Sequence, residues 1–143
     1  MNDIEIIGID TIILYDDVFE ERSLDQLNFK GGKEVTIEVY SKEGDFIPHF
    51  HFYSKDKKID GCLQIFKPEY FIHGKHTTIL NNNYMKQMIT YLSKYKYKPV
   101  NNWQRIVLAW YDANRDGRFR PILKVKDDPT DIANMPDYAK LLK

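Results

Sequence analysis

Apolar and polar positions alternate most regularly at Glu34-Val35-Thr36-Ile37-Glu38-Val39-Tyr40, which places Val35, Ile37 and Val39 on one face of an extended strand. Gly31-Gly32 before it is a turn signal, and Ser41-Lys42-Glu43-Gly44-Asp45 turns the chain into Ile47-Pro48-His49-Phe50-His51-Phe52. The two segments therefore predict an antiparallel hairpin. In the second of them His49 and His51 share one face while Phe50 and Phe52 take the other. Pro48 has no N–H to give a ladder, so it predicts a strand start, a bulge or an edge and sets the histidines near a sheet margin. Isoleucine-rich Ile4 to Tyr15, broken at Gly8 to Asp10, predicts two short strands or one bent strand, and Glu20 to Asp25 reads as a polar connection. The charged stretch Ser54 to Gly61 returns the chain into Cys62 to Phe66, and Glu69 to His73 predicts one more strand after Pro68.

Beyond Leu80 the period changes. Asn81-Asn82-Asn83 offers side-chain oxygens for a helix N-cap, and Met85, Met88, Ile89 and Leu92 recur at helical spacing, predicting a helix over about 82–95. Trp103, Ile106, Val107 and Trp110 form the stripe of a second helix over about 102–112, ending where Asp112 to Gly117 brings turn residues. The expectation is an α+β fold: an antiparallel sheet of about five strands within 1–75, two helices covering one sheet face, and an irregular tail over 121–143 with a short last turn. At 143 residues with no repeat or linker, the chain reads as a single domain, 1–143.

Composition narrows the function classes. The 21 basic and 21 acidic side chains cancel, so no global field favours nucleic acid, a membrane surface or an acidic partner. The start, Met1-Asn2-Asp3-Ile4-Glu5, is acidic where a signal peptide is basic, and no apolar run approaches the roughly 18 residues that span a bilayer. A cytoplasmic protein without a membrane partner is expected. The single cysteine, Cys62, excludes an internal disulfide and reads as a buried, inert thiol on a strand.

Three groups of residues carry candidate chemistry. His49 and His51, joined by His73 and His76, could converge on zinc or another transition metal, because imidazole nitrogens are good ligands for such ions. The competing reading keeps these rings on a sheet surface, hydrogen-bonded to their neighbours. Asp112, Asn114 and Asp116 with Gly117 match the first half of a calcium loop. Leu123 stands where the bidentate glutamate belongs, which argues against calcium and for a helix C-terminal turn. Arg115, Arg118, Arg120, Lys124 and Lys126 form a basic run beside Phe119, Trp110 and Tyr111, a charge-plus-ring pattern able to hold phosphate or nucleic acid. A solvated charged face is its ordinary alternative.

Pro48-His49-Phe50-His51 and Asn102-Trp103, together with His73-Gly74 and Met135-Pro136-Asp137-Tyr138, resemble short motifs of a family of small bacterial and phage proteins of unknown function. The resemblance implies a shared fold over about residues 46 to 138 and a bacterial, phage or mobile-element setting; it brings no activity. The sequence reading is then a small non-enzymatic binding protein that contacts another protein through aromatic and sheet-edge surface and needs no cofactor. One alternative is a histidine-centred metal-binding protein or metalloenzyme, and a second is nucleic-acid binding through residues 115–126. Strand pairing at an exposed edge also permits a homodimer.

Overall fold

A computed structural model describes residues 21–30, 34–40, 47–113 and 129–143. Among these, four strands, β1 (Glu21–Asn28), β2 (Glu34–Tyr40), β3 (His49–Ser54) and β4 (Asp60–Gln64), precede two helices, α1 (Asn82–Ser93) and α2 (Asn102–Ala113). Two 3-10 turns, Ile132–Asn134 and Tyr138–Leu141, follow in the tail. The strands lie in the order β1-β2-β3-β4 and every pairing is antiparallel, so the expected α+β arrangement is present with a sheet of four described strands in place of about five.

The strand expectation for Ile4 to Tyr15 falls outside the described residues, and three others change. Glu69 to His73 makes only isolated bridges, Leu63 with Tyr70 and His73 with His76, because the chain meets the edge of β4 at a few backbone bonds and then reverses at the glycine turn. β1 occupies residues read from sequence as a polar connection: its pairing passes from Ser23–Glu38 to Asp25–Ile37 and skips Leu24. This bulge lets Leu24 and Asp25 both turn toward the core, which hides the alternation. β3 is moreover an inner strand, not a marginal one. Pro48 precedes its first residue, and its carbonyl still accepts from Ile65 N–H at 3.0 Å, so the missing donor breaks no ladder.

Alternation gives the sheet two unlike faces. Val35, Ile37, Val39, Phe50, Phe52 and Leu63 are fully buried on the side of the helices. They meet Met85, Met88 and Leu92 of α1 and Trp103, Ile106, Val107 and Trp110 of α2, which are the predicted helical stripes. Asn81 caps α1 by accepting from Tyr84 N–H at 2.7 Å. Asn101 and Gln104 cap α2 reciprocally, each side chain accepting from the other's N–H at 2.8 Å. Tyr138 carries the tail back to the sheet, donating to the Gln64 carbonyl at 2.5 Å, and burial raises its phenol pKa.

A buried ion pair, Asp25 with Arg105, enters this apolar layer. Asp25 accepts from Arg105 at 2.8 Å, Tyr91 at 2.6 Å and Lys96 at 2.6 Å, fastening β1 to both helices and to the link between them.

Gly61 marks a close approach on β4: a Cβ there would stand 2.7 Å from the Phe52 ring and 2.7 Å from the Thr78 backbone carbonyl. Backbone cannot swing aside as a side-chain tip can, so Gly61→Ala is expected to destabilise by about 1–3 kcal/mol, measured by urea unfolding.

Candidate metal centre

The sheet face opposite the helices carries a polar row. Register sets Glu38 against His51 and His51 against Cys62, so one row crosses β2, β3 and β4. Directly paired residues project from the same face, and His49 joins them two positions along β3. Parity therefore places two imidazoles and the thiol together before any loop is considered.

The fourth member comes from the segment that follows β4. Phe71 N–H donates to the Cys62 carbonyl at 3.0 Å, Thr78 N–H donates to the Asp60 carbonyl at 3.0 Å, and Asp60 N–H donates to the Thr78 hydroxyl at 2.8 Å. These bonds lay residues 70–78 along the outer side of β4. Between them the chain reverses at His73-Gly74-Lys75-His76, closed by His76 N–H donating to the His73 carbonyl at 2.9 Å. Gly74 has φ of +56°, a left-handed conformation that favours glycine. The turn leans His73 over the polar row.

His49, His51, Cys62 and His73 consequently bring one ligand atom each to within 4.8 Å of one another. Cys62 Sγ lies 3.2 Å from His51 Nδ1 and 3.3 Å from His73 Nε2. A zinc tetrahedron with bonds of about 2.0 Å to nitrogen and 2.3 Å to sulfur has edges of roughly 3.3–3.6 Å. Two edges of the cluster already have about that length, and closing the widest separation, at most 4.8 Å, takes a movement of no more than about 1.5 Å.

The surroundings fix how these rings present themselves. His49 Nδ1 lies 2.7 Å from the Ile47 carbonyl; a carbonyl only accepts, so Nδ1 carries the proton and Nε2 the lone pair. Tyr40 stacks on His51 at 4.1 Å with planes 18° apart, and Phe71 packs against His49 at 4.6 Å. His49 and His51 are each 1% exposed and Cys62 is fully buried, so the cluster lies beneath the surface of the sheet face. Glu38 is buried beside His51 and accepts from the Tyr53 hydroxyl at 2.7 Å. As a carboxylate it would balance the single positive charge left where a divalent ion met one thiolate.

Of the four predicted histidines, His49, His51 and His73 meet in this set. His76 lies at its rim, its ring 4.8 Å from that of His51 and 4.9 Å from that of His73. Cys62, read from sequence as a buried, inert thiol, is buried and sits between two imidazoles, 3.2 Å from one and 3.3 Å from the other. The signal for it was available: with Leu63 and Ile65 pointing into the core, strand alternation puts Cys62 on the histidine face. Asp112 of the calcium-like loop is a buried residue of α2, and Asn114 and Asp116 lie outside the described residues. The basic run of Arg115, Arg118, Arg120, Lys124 and Lys126 lies outside them as well. Among the described residues no helix is long and apolar enough to cross a membrane. Comparison of the chain with family models, with curated proteins and with solved structures gives no match.

Proposed function

We propose that this protein binds a transition-metal ion of the zinc class through His49, His51, Cys62 and His73. The observation that carries the reading is the gathering of three imidazoles and one thiol, from two strands and a turn, with all four ligand atoms within 4.8 Å. Imidazole and thiolate together suit zinc and its neighbours, whereas magnesium and calcium call for oxygen donors. The ion's role is to join the segment bearing His73 to the sheet, because three ligands stand on β3 and β4 and one on the turn beyond.

Protein contact through aromatic surface has less support. Phe29, Phe50, Phe52, Trp103, Trp110 and Tyr138 are core residues, and Tyr95 and Tyr97 are the exposed aromatics among the described residues. The aromatic content serves packing first.

The test is elemental analysis of untagged protein together with titration of the stripped protein with cobalt(II). About one equivalent of metal and a sulfur-to-cobalt charge-transfer band, both lost in Cys62→Ser, are expected. A wild-type protein that retains no metal and shows no such band contradicts the reading.

A further inference from the structure

His76 and Asp60 form a second polar pair that the four-ligand set leaves unused. His76 Nδ1 stands 2.6 Å from Asp60 Oδ1, and the His76 side chain is 22% exposed while that of Asp60 is 9% exposed. Nδ1 donates to the carboxylate, so in the neutral ring that a metal requires Nε2 holds the lone pair. An imidazole whose other nitrogen is tied to a carboxylate or a backbone carbonyl is the usual form of a metal-bound histidine, since that bond sets both tautomer and ring orientation. The cluster holds this arrangement twice: His49 on the Ile47 carbonyl and His76 on Asp60.

The two rings also stand symmetrically about the others. His49 lies 5.1 Å from both His51 and His73, centroid to centroid; His76 lies 4.8 Å and 4.9 Å from the same two rings. The difference is in their supports. His49 is fixed on an inner strand and buried, whereas His76 ends an exposed turn through Gly74 and Lys75. A turn can shift where a paired strand cannot.

From this geometry we infer that His76, oriented by Asp60, is a fifth, exchangeable ligand of the same divalent ion, on the side by which the ion enters and leaves. Asp60 is a positioning residue: its N–H and carbonyl also hold Thr78, which keeps the turn against β4. The inference rests on the metal reading of His49, His51, Cys62 and His73 and adds to it the direction of exchange.

The probe is cobalt(II) alone, added to the stripped full-length wild type, His76→Ala and Asp60→Asn, with visible spectra and release to an excess of chelator. The wild type is expected to give the weak ligand-field bands of a five-coordinate ion. In His76→Ala those bands should intensify toward the tetrahedral pattern while the sulfur-to-cobalt band persists, and release should speed by roughly tenfold or more, since losing even an outer partner of a ligand weakens a metal site by about that factor. Asp60→Asn should move both readouts the same way by less, and it covers the case in which His76→Ala does not fold. A turn that was merely loosened would speed release without changing the ligand-field bands. Unchanged bands in both variants, with the sulfur band present, overturn the assignment of His76 and leave the four-ligand reading standing. Absence of the sulfur band from the wild type itself removes the metal reading and this inference with it.

Discussion

Zinc added to stripped wild-type protein is expected to raise its thermal midpoint, and the rise should disappear in His51→Ala/Cys62→Ala. A ligand that binds the folded state alone stabilises it by mass action, by about 4 kcal/mol when free ligand stands a thousandfold above Kd. For a chain of 143 residues this corresponds to a shift on the order of 10 °C. The expected gain is large because an ion would tie three separate pieces of chain, β3, β4 and the turn at His73, at one point that the unfolded chain does not preform. Removing Cys62 and His51 takes away the pair at 3.2 Å and leaves the apolar layer on the other face as it was. Differential scanning calorimetry with and without zinc decides the matter. An equal rise in the variant means that the ion binds elsewhere.

Asp25→Asn is expected to lower stability by about 3–5 kcal/mol at pH 7, as breaking one half of a buried ion pair does. Arg105 is 4% exposed and keeps its charge, so the substitution strands a guanidinium inside the helix–sheet layer. Replacing both partners, Asp25→Leu with Arg105→Leu, is expected to be milder than Asp25→Asn, since no buried charge then lacks its counterpart. The pH dependence has a definite sign. Burial pushes the Asp25 carboxyl up, but hydrogen bonds from Lys96 and Tyr91 and the charge and hydrogen bond of Arg105 outweigh it and hold the group below its ordinary value of 3.8. On acidification the unfolded chain takes up this proton first. The contribution is therefore complete above about pH 4 and is lost as the pH falls through the lower folded value. Urea midpoints between neutral and acid pH should converge for wild type and Asp25→Asn as that range is entered. Parallel curves down to the lowest pH would place the acid sensitivity on other carboxyls.

Much of this fold could be read from spacing. Val35, Ile37 and Val39 keep a period of two, and the stripes of α1 and α2 keep the helical period, so sheet and helices declare their buried faces locally. The two central histidines follow from the same rule, one turn of argument beyond Phe50 and Phe52. What escaped depends on irregular backbone or distant partners. β1 is masked by its bulge at Leu24 and by Asp25, a charge that makes sense in a core only once Arg105, eighty residues later, is known to face it. The segment through His73 was read as a strand from Tyr70, Phe71 and Ile72. Its actual path depends on the glycine turn and on anchoring to Cys62 and Asp60. Residue types announced the histidines; only tertiary placement brought His73 to Cys62.

The strip of chain lying along β4 also decides how the sheet can associate. An unpaired strand edge invites a second chain to add itself, a hazard that proteins manage by covering it. Here the Leu63–Tyr70 bridge and the bonds from Phe71 to Cys62 and from Thr78 to Asp60 occupy groups that an incoming strand would use. Among the described residues, the β4 flank of the sheet is thus closed to strand addition. The same few backbone bonds that bring a histidine to the thiol also shield this edge from a second chain.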